Sequence, residues 1–168
     1  MTTRVTIKDT GELRPLAGLR FQMTAGIHAT EAAQPHSSGM TIGDLAMLHE
    51  FGKDKIPARM WLRRWCQRQM NAVAQEIRGA LIPMARKQNY RTAGPAGLKA
   101  VANHMKATMR GAILGGGITP KNAPATLARK APEARPLLEH GELVAAAEAE
   151  IKGITTGWRY NTRGGMGP

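Results

Sequence analysis

The chain has 168 residues, with 24 Lys and Arg against 12 Asp and Glu, a formal charge of +12, and 42% hydrophobic residues of which few are aromatic. That size and apolar fraction predict one globular domain rather than a disordered chain, and no apolar run approaches the roughly 20 residues of a membrane helix. The single cysteine, Cys66, excludes an internal disulfide and any multi-cysteine zinc site, and its expected role is packing on a helix.

In chain order, Met1-Thr2-Thr3-Arg4-Val5-Thr6 lacks the apolar core of a signal peptide, so the expectation is a soluble protein made in the cytosol. Residues 4–9 alternate polar and apolar and predict a half-buried strand, and Leu19 through Ile27 predict a second. Thr30 to Gly39 is polar and turn-forming, and reads as a mobile loop. Leu45, Leu48 and Phe51 then recur every three residues, which predicts a short helix capped by Thr41 and ended by Gly52. From Ala58 the apolar positions Leu62, Trp65, Cys66, Val73, Ile77, Leu81 and Met84 give the strongest helical stripe, kinked or ended by Pro83. Lys87 to Gly97 reads as a loop. Leu98, Val101, Ala102, Met105, Met109, Ala112 and Ile113 predict a second long helix, closed by Gly115-Gly116-Gly117. A turn or two of helix is expected around Ala125 to Lys130. The Ala and Glu content of Leu137 to Ile151 favours helix, with a strand over Ile154 to Tyr160. The expected fold is α+β: a small antiparallel sheet packed with two long amphipathic helices, one domain over 1–160, a mobile loop over 30–39 and a flexible tail over 161–168.

Charge is unevenly spread. Between Lys53 and Arg135 stand 17 basic residues against Asp54, Glu76 and Glu133, whereas the remainder is slightly acidic. Such a surface meets an acidic partner, either nucleic acid or another protein, or is a solvated basic face. The chain offers few aromatics for base stacking.

Catalytic and metal patterns fail on spacing. His49-Glu50 lacks a second His at position 53, which is Lys. The five His are scattered. The glycine run before Ile118 lacks the spacing of a phosphate loop and reads as a hinge. Ser37 and Ser38 have no nucleophile-elbow context. On a helix, Glu148 and Glu150 would point apart. The expectation is a non-enzyme with no cofactor and no metal.

Two segments carry a family pattern. Leu48-His49-Glu50-Phe51-Gly52 followed by Ile56-Pro57-Ala58-Arg59-Met60-Trp61-Leu62-Arg63 is the first. Ile118-Thr119-Pro120, Thr126-Leu127-Ala128-Arg129-Lys130 and Pro136-Leu137-Leu138-Glu139-His140-Gly141-Glu142-Leu143 form the second. Together they resemble the small neck and tail-completion proteins of long-tailed bacteriophages, with Met60-Trp61 standing where that family carries Pro-Phe. The resemblance implies a virion structural subunit at the neck, assembled in the host cytoplasm into a six-fold homo-oligomeric ring. That ring would join the head connector or adaptor to the tail terminator or tail tube, with DNA passing through its channel and no membrane involved.

His49, Glu50, Phe51, Gly52, Pro57 and Gly141 are the candidate structural motif. A ring needs two different surfaces that meet, and the candidates are basic Arg59, Arg63, Arg64 and Arg68 against acidic Glu139, Glu142, Glu148 and Glu150. Arg59 and Arg63 are expected on an exposed helical face, with Phe51 and Trp61 closing an apolar knot beneath the turn. The rival expectation is a basic nucleic-acid-binding protein that contacts phosphates through the Arg59 to Arg68 helix.

Overall fold

The computed structural model describes residues 2–3, 19–85, 90–129, 136–138 and 141–155, and their fold is α+β. Strands β1 (Thr2–Thr3), β2 (Arg20–Ile27) and β3 (Ala147–Thr155) form one sheet in that order. β1 runs antiparallel to β2, with Thr2 opposite Thr24 and Thr3 opposite Met23. The helices are α1 (Ala29–Ala32), α2 (Ile42–Phe51), α3 (Trp61–Ala85), α4 (Tyr90–Leu114), α5 (Pro124–Arg129) and α6 (Glu142–Ala146). The strand expected over 4–9, Glu139 and the tail 161–168 lie outside the described residues.

The chain folds into two compact units, each assembled from separated segments. The first comprises Met1–Thr24, Asn71–His104 and Ala149–Pro168. Its core holds Val73, Ile77 and Leu81 of α3 with Leu98, Val101 and Ala102 of α4, all buried at helical spacing. These helix halves run antiparallel: Gly97 faces Ala80, and His104 Nδ1 lies 2.5 Å from Glu76 Oε1. A Cβ on Gly97 would stand 2.9 Å from the Ala80 Cβ, so glycine there permits the close approach.

The loop expected over Lys87 to Gly97 is therefore corrected, because α4 already starts at Tyr90 and carries Pro95 inside it. Pro95 forfeits one backbone donor near the helix start, where tertiary packing along α4 outweighs the loss. Pro83 sits likewise within the last turn of α3.

The second unit comprises Ala25–Met70 and Met105–Glu148. Thr41 caps α2 as expected, accepting from the Asp44 N–H at 3.1 Å and donating to Asp44 Oδ2 at 2.7 Å. Gly52 ends that helix at φ 73°. The core gathers Ile42, Ala46, Trp61, Trp65 and Cys66 with Met109, Ile113, Ile118 and Leu143. Leu62, expected in the buried stripe, is half-buried, and Ala112 is exposed.

The segment expected as a loop over 30–39 opens as α1, which packs on α2. It continues as a hydrogen-bonded turn, with His36 N–H donating to Met40 O at 2.8 Å and Ile42 N–H to Gln34 O at 2.9 Å.

The helix expected through Leu137 to Ile151 is corrected too. Only Glu142–Ala146 is helical, and β3 begins at Ala147. Ala-Glu-Ala-Glu scores well for helix but also alternates with period two, and Ala147 and Ala149 are buried while Glu148 and Glu150 face the other side. Glu148 and Glu150 thus share one strand face rather than pointing apart as they would on a helix.

Candidate functional site

Between α2 and α3 the chain makes a tight corner. Lys53 and Ile56 exchange two backbone hydrogen bonds at 2.9 Å, and Asp54 between them has φ 51°. The segment leaving the turn lies back along the end of α2, where the Arg59 N–H donates to His49 O at 2.8 Å. Gly52 is compressed by this return: a Cβ there would be 2.6 Å from Ala58 N and 2.8 Å from Ile56 O. Glycine is thus required twice, for its positive φ and for its missing side chain.

Glu50, 8% exposed, caps α3 from α2: its Oε2 accepts the Leu62 N–H at 3.0 Å while Oε1 stands 3.6 Å from Arg63 Nε. A carboxylate at a helix N-terminus satisfies a free donor and complements the dipole. The local sequence supplies no Ser, Thr, Asp or Asn cap at that point; Met60 precedes α3 instead, at φ 48°. This role for Glu50 is invisible to a local sequence pattern, because the cap comes from twelve residues upstream.

Arg59 is the centre of the corner and is 4% exposed. Its guanidinium donates to His49 Nδ1 at 2.7 Å, to the Pro120 carbonyl at 3.0 Å and to Asn122 Oδ1 at 3.2 Å. Arginine has only donors, so His49 Nδ1 accepts and the ring proton resides on Nε2. Burial pushes the Arg59 pKa below its ordinary value.

The expected exposed face for Arg59 is thereby corrected, for it precedes α3 and points inward. Phe51 is corrected as well: it is 57% exposed, with the Arg63 guanidinium 5.5 Å from its ring centroid. Trp61 alone is buried, its indole N–H donating to Ala46 O at 3.4 Å.

The other candidates separate. Arg64 donates to both the carbonyl and the hydroxyl of Thr119, at 3.0 and 2.7 Å, so the segment read as a hinge is pinned. Arg68 is exposed and makes no hydrogen bond or ion pair among the described residues. Glu148 pairs with Lys106 and lies 3.6 Å from Arg110, and Glu150 pairs with Lys152 at 2.6 Å. Glu142 Oε2 is 2.9 Å from His36 Nε2, yet outside hydrogen-bond geometry, leaving that buried oxygen unsatisfied. Gly141 starts α6 at φ 76°. Pro57 is exposed beside the turn.

Sequence reasoning missed Asn122 and the Thr119 and Pro120 carbonyls, because backbone acceptors have no residue-type signal.

Two cavities flank Arg59. One, about 440 Å³, lies between the corner and α6 and is lined by His36, His49, Leu48, Asn122, Glu142 and Leu143 among others. The second, about 270 Å³, lies between the start of α3 and the end of α4. Among the described residues no three His, Cys, Asp or Glu side chains gather as metal ligands, and no helix is long and apolar enough to cross a membrane. No family model, curated protein or solved structure matches the chain.

Proposed function

We propose that the chain is a non-enzymatic virion structural protein, a neck or tail-completion subunit of a tailed bacteriophage that forms a ring between head connector and tail tube. One observation supports this reading above the others. The two sequence segments that carry the resemblance, about sixty residues apart, meet at Arg59, which holds His49 from the first and Pro120 from the second. That both parts of the pattern serve one buried joint supports reading them as a single structural unit.

The corner leaves Met47, Phe51 and Met60 exposed beside Arg63, the apolar and cationic mixture typical of an interface core. The nucleic-acid alternative loses Arg59 from its row of four phosphate contacts, since that side chain is buried in the corner.

The test is deletion of the gene from the phage or prophage that carries it. DNA-filled heads and unattached tails should accumulate, seen by electron microscopy, and the chain supplied in trans should restore joined particles. Joined, infectious particles from the deletion strain would overturn the reading.

A further inference from the structure

The smaller cavity has an apolar floor and a cationic rim. Ile113 and Ile118 are buried beneath it, Trp61 and Trp65 form a wall at 5% exposure each, and Arg64 and Arg68, one helical turn apart, stand on its α3 side. Among the described residues, none of the three arginines that line it, Arg59, Arg64 and Arg68, has a carboxylate partner: Arg59 and Arg64 meet neutral acceptors, and Arg68 meets none. By contrast, Glu50, Glu76, Glu142, Glu148 and Glu150 each have a cation or histidine within ion-pair distance. These five acids thus lie against other groups, and among the described residues none of them reaches the arginines of this cavity.

We propose that this cavity docks an acidic peptide segment of a partner protein, with a carboxylate held by Arg64 and Arg68 at its rim. Shape favours a peptide over nucleic acid. Stacking on bases needs open ring faces, whereas both indoles here are buried and their N–H groups are held by Ala46 O and Thr108 Oγ1. Tracking a phosphate backbone needs a line of exposed cations, and here Arg59 is inaccessible. Both hydrogen bonds of Arg64 to Thr119 come from Nη1, so its Nε and Nη2 donors can hold a carboxylate without breaking those contacts.

The proposal is independent of the virion reading, since it concerns the chemistry of the occupant and is tested on the isolated protein. Trp61 and Trp65 report occupancy by fluorescence once Trp158 is replaced by Phe. Polyglutamate and a single-stranded oligothymidylate of equal charge are titrated in parallel, at low and at near-physiological salt. Polyglutamate should shift the emission saturably, Arg68→Gln should weaken it at least tenfold, and Arg63→Gln, the same charge change outside the cavity, should stay within twofold. Three results would each overturn the proposal: no saturable response to polyglutamate, equal loss in both variants, or an Arg68-dependent response to the oligonucleotide alone. The last would reassign the cavity to phosphate.

Discussion

At the scale of single residues, Arg59 and Glu50 show how burial changes the meaning of a charge. Removing Arg59 takes a charged donor from His49 Nδ1, the Pro120 carbonyl and Asn122 Oδ1 in a part-buried joint, and hydrogen bonds to charged groups carry more than neutral ones. Arg59→Ala should therefore cost about 2 to 4 kcal/mol in urea unfolding, against less than about 0.5 kcal/mol for Arg63→Gln on the surface. Equal effects would place Arg59 outside the joint.

Cys66 gives a second prediction at this scale. Burial raises its thiol pKa and hides the sulfur, so an aromatic disulfide reagent should react at a native rate limited by opening of the fold and rapidly in denaturant. The linkage has a definite sign. The unfolded thiol ionises first as pH rises, so the folded state holds more protons there and stability falls above about pH 8.5. Cys66→Ala should flatten that part of the pH profile, and an unchanged slope would assign it to other groups. The sequence made the buried role of Cys66 legible through helical spacing. It could not reveal Arg59, because an arginine beside a helix start carries no mark of which way it turns.

At the scale of elements, what was legible followed from periodicity and caps, and what was missed followed from tertiary contact. The Thr41 cap, the Gly52 stop and the stripe of Val73, Ile77 and Leu81 stand in the sequence as local chemistry. Tyr90 through Gly97 reads as a loop because Gly94, Pro95 and Gly97 are helix breakers in isolation, yet Gly97 is the point where α4 meets Ala80 of α3. Ala147 to Glu150 satisfies two periods at once, and only the burial of the alanines on the sheet decides for strand.

Two glycines test this difference. Gly97→Ala should destabilise by about 1 to 3 kcal/mol through overpacking, despite the better helix propensity of alanine. Gly79→Ala, in the same helix pair but with nothing within 4 Å of its new Cβ, should stabilise by about 0.5 to 1 kcal/mol. Stabilisation by both would mean that Gly97 is not a contact point. Leu81→Ala removes a side chain that is 5% exposed and should cost roughly 2 to 5 kcal/mol.

At the scale of the whole molecule, neither compact unit is a continuous stretch of chain. Residues 61–70 of α3 belong to one unit and 71–85 to the other, and α4 is divided in the same way after His104. A unit that unfolded alone would have to break both long helices in mid-course, losing hydrogen bonds and creating new frayed ends. The division at Met70–Asn71 and at His104–Met105 falls where neither helix contains proline, the residue that most readily permits a break. Cooperative unfolding is therefore expected in spite of the two units. Far-ultraviolet circular dichroism reports both helices along their length, whereas Trp61 and Trp65, with Trp158 replaced by Phe, report only the second unit. Their urea transitions should coincide in midpoint and slope. Native-state hydrogen exchange should give similar opening free energies for amides near Val73 and near Cys66. A fluorescence transition well separated from the helical one, or exchange that isolates one unit, would show that the helices break at the unit boundary and that each unit is stable by itself.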